Sequence, residues 1–120
     1  MPRSTVAFTH DPIDVDTLAR AVSAVLTPGE LAVTPVEIRP LDGGAAVQVL
    51  MLDRVVLTVL RPRRAPAPSE RARVYGVHDV DDAARWSCEC LTPWKPEGSI
   101  GLQLIEAAVT DRTGYVIHQQ

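Results

Sequence analysis

Between Val47 and Leu60 two short apolar runs, Val47 to Leu52 and Val55 to Leu60, are separated only by Asp53 and Arg54. That spacing predicts a β-hairpin with those two residues at its tip. In this register Leu52 pairs with Val55, Leu50 with Leu57 and Gln48 with Val59, and these six residues share one face. Val47, Val49, Met51, Val56, Thr58 and Leu60 take the other. Both faces are apolar, whereas an antiparallel hairpin with one wet side alternates apolar and polar residues. Such a hairpin calls for cover on both sides, from helices, from another sheet or from a second copy of the chain. Its ten Val, Leu and Met residues represent roughly 15–30 kcal/mol of gross burial at ~1.5–3 kcal/mol each, before chain entropy is set against it.

A chain of 120 residues suits one domain, residues 1–120, with a single core. Its net charge of -3 provides no general attraction to nucleic acid, which is disfavoured as a partner. No apolar run approaches the ~20 residues of a membrane-spanning helix. The N-terminus, Met1-Pro2-Arg3-Ser4, leads into an alternating strand and not into an apolar signal core, so a cytoplasmic protein is expected. Eleven of the twelve basic residues are arginine, a bias associated with high-GC bacterial genomes that bears on source and not on function.

Along the chain, Ser4 to Thr9 alternates as a first strand. Asp14 reads as an N-cap, and Val15, Leu18, Ala19, Val22, Val25 and Leu26 line one face of a helix over 14–27 that Pro28-Gly29 ends. Leu31 to Arg39 is strand-like, and Pro35 within it removes a backbone donor and argues for an edge position or a bulge. Pro40 to Gly44 is a turn into the hairpin. The window from Arg61 to Arg73, with Pro62, Pro66 and Pro68, is expected to be an exposed, partly polyproline-like loop. Beyond it, Val74 to Val77 suits a short strand, Val80 to Arg85 a helical turn, and Ala84 to Leu91 a strand. Residues 100–110 read as a second helix, with a strand as the competing reading, before the turn Asp111 to Gly114 and a return strand, Tyr115 to His118. The class is α+β, with a mainly antiparallel sheet of about five or six strands around the hairpin, one helix across one face and the other face left to the second helix or a partner. At the level of fold only, a helix followed by a three-strand meander resembles small bacterial chaperone-like and toxin-immunity domains.

Candidate chemistry is sparse. Arg61, Arg63, Arg64, Arg71 and Arg73 face one acid, Glu70, within their window, a local charge of +4 against -7 elsewhere. Guanidinium groups suit carboxylate or phosphate recognition, and docking on an acidic protein surface competes with a merely solvated loop. Trp94, in a proline-rich loop, is either tucked over the core, the favoured reading, or left as an anchor for a partner. Cys88 and Cys90 fall on one side of their strand with Trp86, which suits core packing. As metal ligands they would need His78, Asp79 or His118, at no recognised spacing. A nucleophilic pair of Cys88 with His78 or His118, oriented by Asp79, needs proximity that spacing does not reveal; His10 is a third isolated histidine. Hydrolase, nucleotide-loop and zinc-protease signatures are absent, and Asp79, Asp81 and Asp82 lack the glycine and terminal glutamate of a calcium loop. The function expected is therefore a non-enzymatic interaction module, a homodimer, adaptor, chaperone-like or immunity-like protein without a cofactor. The alternative is a small enzyme or metal-binding protein using Cys88 and Cys90 with a nearby histidine.

Overall fold

The computed structural model describes residues 3–75, 84–94 and 97–119. Strand β1 (Arg3–Thr9) leads into helix α1 (Val15–Val25) and a short helix α2 (Pro28–Val33), followed by the meander β2 (Val36–Leu41), β3 (Ala46–Met51) and β4 (Arg54–Leu60). A two-residue strand β5 (Arg63–Arg64), helix α3 (Pro68–Tyr75), strand β6 (Trp86–Thr92), helix α4 (Glu97–Asp111) and strand β7 (Gly114–Gln119) complete the order. The fold is α+β, and among the described residues one sheet of seven strands, where five or six are expected, runs β2-β3-β4-β6-β1-β7 with β5 on β6, all antiparallel.

The hairpin turns one residue earlier than its composition suggests. Leu52 and Asp53 form the tip, both with positive φ (53° and 61°), the left-handed pair that matches the twist of two-residue hairpins. Met51 therefore faces Arg54 and Leu50 faces Val55, and a bulge then shifts the register so that Val49 faces Leu57 and Val47 faces Val59. A one-residue slip alone reverses the two faces of a strand. Here the bulge turns Val56 and Leu57, consecutive residues, into the same core beside Val49 and Val59. The hairpin thus has one strongly apolar face, and its other face carries Gln48 and Thr58, joined by a 3.4 Å bond. Leu52, expected in the pairing, is instead 63% exposed at the tip.

Both long helices lie against that apolar face, in one core with Leu18, Val22, Leu104 and Ile105. The second helix, read over 100–110, is present as α4 and packs beside α1; it does not cover the opposite face. A Cβ on Gly101 would stand 2.1 Å from the Val56 carbonyl oxygen, so glycine is what lets α4 approach the bulge. Asp14 caps α1: it accepts from the Thr17 amide and hydroxyl at 2.8 and 2.7 Å. Those bonds, with Arg112 adding to them, lower the Asp14 pKa, so the cap's contribution is present above the ordinary carboxylate range and fades as pH falls through the lowered value. Arg20 grips Asp111 with two bonds, and Arg112 reaches Thr17 and Asp14, tying the end of α4 to α1.

Residues 31–33, read as strand, belong to α2, because Thr27 and Glu30 close a capping box and Pro28 occupies the first turn, where no amide donor is needed. The meander strand is shorter and begins at Val36, but it lies at the sheet edge. The Arg/Pro window is not an extended loop either. Pro62 falls between β4 and β5, where the pairing with β6 is interrupted, and Pro68 opens α3 at a position that tolerates proline. Val74 and Tyr75, read as strand, lie in α3; residues 76 and 77 of that reading, the helical turn up to residue 83, and His78, Asp79, Asp81 and Asp82 lie outside the described residues.

The return strand is present as β7. On the second face of the sheet Val6 and Phe8 stand beside their β7 partners Ile117 and Tyr115, and Ala65 and Ala84 pack with them. Arg71, 2% exposed, holds this layer. Its guanidinium donates to Pro66 O (2.9 Å), Tyr115 Oη (2.7 Å) and Ala84 O (3.0 Å), and it lies 5.4 Å from the Phe8 ring centre.

Candidate functional site

The second sheet face is covered at its β1–β7 end by the layer that Arg71 anchors. Beside it a concavity of about 540 Å³ remains, lined by Val6, Ala45, Leu60, Arg61, Arg63, Ser87 and Glu89. Its position follows from the break between β4 and β5. Val59 pairs with Cys90, but Arg63 and not Pro62 pairs with Ser87, so the chain gains one residue relative to β6 and bows away from it. Leu60, paired with Ala46 of β3 but with no ladder partner on β6, accepts a hydrogen bond from the Cys88 thiol at 2.9 Å. The bow sets Arg61 and Arg63 at the margin above an apolar floor of Val6 and Leu60.

The five clustered arginines are thereby separated into different roles. Arg61 bonds the Gly44 carbonyl only at 3.5 Å, and neither Arg61 nor Arg63 forms a salt bridge among the described residues. Arg64 stacks 5.2 Å from the Trp86 ring centre. Arg73 pairs with Glu70 at 2.6 Å along the surface of α3. Arg71 is inside the protein and is no part of an exposed anion-binding surface. Within the concavity Glu89 accepts from the Ser4 hydroxyl at 3.2 Å. Two cations and one acid therefore face the same volume, with the Ser87 hydroxyl between the charged groups in sequence.

Trp94 is not tucked over the core. It is 58% exposed, with the Arg3 guanidinium 4.4 Å from its ring centre. Near β1, a smaller pocket of about 170 Å³ is lined by Arg3, Ser4, Thr5, Leu102 and His118. His118 Nδ1 lies 3.0 Å from Thr5 Oγ1, and its Nε2 is 3.8 Å from Glu106 Oε1.

Cys88 and Cys90 are buried, at 3% and 1% exposure. Thr5 of β1 pairs with Cys90 on one side and His118 on the other, and Cys88 pairs with Ala7 two residues along, so a whole strand separates either thiol from the imidazole, roughly 9–10 Å or more at ordinary strand spacing. That is too far for a base to take a thiol proton. No group of three or more His, Cys, Asp or Glu side chains suited to a metal ion occurs among the described residues. Neighbouring Cys88 and burial push the Cys90 thiol pKa well up. Thiol reagents are therefore expected to label the native protein on the order of a hundredfold more slowly than the denatured chain. Rapid labelling of one thiol in the native state, followed by mass spectrometry, would contradict this packing.

No helix among the described residues is long and apolar enough to cross a membrane. Comparison with protein-family models, with curated proteins and with solved structures found no match to this chain.

Proposed function

We propose that this protein is a non-enzymatic protein-interaction module that receives an extended acidic segment of another protein in the concavity between β4, β5 and β6. The observation that carries this reading is the pair of guanidinium groups, Arg61 and Arg63, without a salt-bridge partner among the described residues, over the apolar floor of Val6 and Leu60. Arginine suits such a task because its planar fork donates two parallel bonds to one carboxylate, and an adjoining apolar surface excludes water from the contact. An extended segment suits such a surface, since alternate side chains then point towards it and away from it. Adaptor, chaperone-like and immunity-like roles share this recognition chemistry.

The test is fluorescence anisotropy with two labelled peptides of the same alternating aliphatic pattern, one carrying Glu and one Lys at the polar positions. The acidic peptide is expected to bind and to weaken as salt rises. The double variant Arg61→Ala/Arg63→Ala is expected to weaken that binding at least about tenfold, while thermal stability changes by no more than ~0.5 kcal/mol, as for exposed charges outside a packed network. Equal binding of both peptides, or unaltered binding by the double variant, defeats the proposal.

A further inference from the structure

The two edges of the sheet are finished differently. At the β2 edge, the Leu52 amide donates to Pro35 O at 3.0 Å. Antiparallel alternation then turns Glu37, Arg39 and Leu41 towards β3 and leaves the backbone groups of Val36, Ile38 and Pro40 pointing outward. Pro40 thus removes a donor from the outer row itself, and Glu37 and Arg39 add charge to the strand. Both are devices that keep an edge from pairing with another chain.

At the β7 edge neither device is present. The His10 amide donates to Thr113 O at 3.1 Å just beyond the paired strands. Every second residue repeats that orientation, so Tyr115, Ile117 and Gln119 bond to β1 while Gly114, Val116 and His118 present their amides and carbonyls outward. The opposite side of the sheet agrees with this phase: Ala65 N–H donates to Arg85 O, and Arg85 N–H to Thr9 O, which turns Thr9 towards β6 and its neighbour Phe8 towards β7. Strand β7 holds no proline and no Asp, Glu, Lys or Arg.

From the row of Gly114, Val116 and His118, unpaired among the described residues, we infer that β7 pairs with β7 of a second copy of this chain, joining two sheets about a two-fold axis through Val116. Val116 then meets its own counterpart, Gly114 meets the second copy's His118, and Tyr115 stands beside the second copy's Ile117, an aromatic–β-branched pair of the kind that stabilises antiparallel ladders. A two-fold interface requires such self-complementarity. Charge selects the occupant. An uncharged strand laid against itself meets no like charge, whereas the acidic segment that suits Arg61 and Arg63 finds no cation on β7. The contact does not use the concavity, so the two proposals stand or fall separately. Edge pairing buries little side-chain surface, which places the dimer among weak associations of micromolar dissociation constant.

Analytical ultracentrifugation of the intact chain from about 5 to about 500 µM, a range that spans such an affinity, is expected to show the mass rising from one chain to two. Hydrogen exchange on the same samples separates this edge from any other contact. The amides of Val116 and His118 are expected to slow at least about tenfold as concentration rises, while those of Tyr115 and Ile117, bonded to β1, stay slow throughout. Val116→Pro removes an outward donor and leaves the β1 ladder whole, so it is expected to stay monomeric with its melting temperature retained. If that variant fails to fold, the exchange measurement on the unmodified chain decides. A single-chain mass at every concentration overturns the inference and leaves the edge to a different partner. A dimer in which Val116 and His118 exchange as fast as in the monomer, or a folded Val116→Pro that still dimerises, overturns it as well.

Discussion

Replacing Arg71 with Ala is expected to lower stability by about 3–5 kcal/mol, the range for removing a buried charged group that satisfies several partners. The loss has three sources. Pro66 O, Ala84 O and Tyr115 Oη each lose a charge-assisted donor; the Phe8 ring loses the cation against it; and the layer over Val6 and Phe8 loses the group that joins α3 to β7 and to the start of β6. Lysine at this position keeps the charge but has a compact ammonium in place of a planar fork, so Arg71→Lys is expected to recover only a minor part. Urea denaturation of the intact chain measures both. A loss below about 1 kcal/mol for Arg71→Ala, the value of one ordinary hydrogen bond, would mean that the layer is held by other contacts.

The second large effect belongs to Leu57, fully buried in the core shared by the sheet, α1 and α4. Leu57→Ala is expected to cost ~2–5 kcal/mol, the removed methyl groups plus the cavity that remains. The matched control is Leu52→Ala. Leu52 belongs to the same hairpin but stands exposed at its tip, and a change within ~0.5 kcal/mol is expected. Equal losses at the two positions would return the hairpin to the register with Asp53 and Arg54 at the tip, in which Leu52 is a paired strand residue.

That register shows where local reading stops. Two apolar runs two residues apart establish a hairpin, but the choice between Leu52-Asp53 and Asp53-Arg54 as its tip depends on which faces meet the helices. Either turn is locally available; burying Val49, Leu57 and Val59 together, with Val56 added by the bulge, decides between them. The arginine window shows the same limit in another form. Its prolines argued against regular structure, yet a proline at the start of a helix costs no hydrogen bond, and the value of α3 lies in carrying Arg71 to Tyr115, forty-four positions away in sequence. No signal within the window distinguishes Arg71 from Arg63. The histidine and cysteine candidates are undecidable from sequence for a related reason, since whether Cys88 or Cys90 meets His118 depends on the strand placed between them.

Several properties follow from sequence alone, because each rests on interactions within a few residues: the α+β class, the apolar hairpin, the capped helix after Asp14, the second helix around residues 100–110, the return strand after Gly114, and the inward pair Cys88 and Cys90. Spacing, capping and alternation are local, and local rules read them. Tertiary structure alone decided that both long helices lie on one side of the sheet, that one arginine of five is buried as a structural tie while two border a concavity, and that β7, without proline or charged residue, ends the strand order among the described residues. Each of these depends on contacts between segments far apart in the chain, where the burial of one group is set by the shape of all the others.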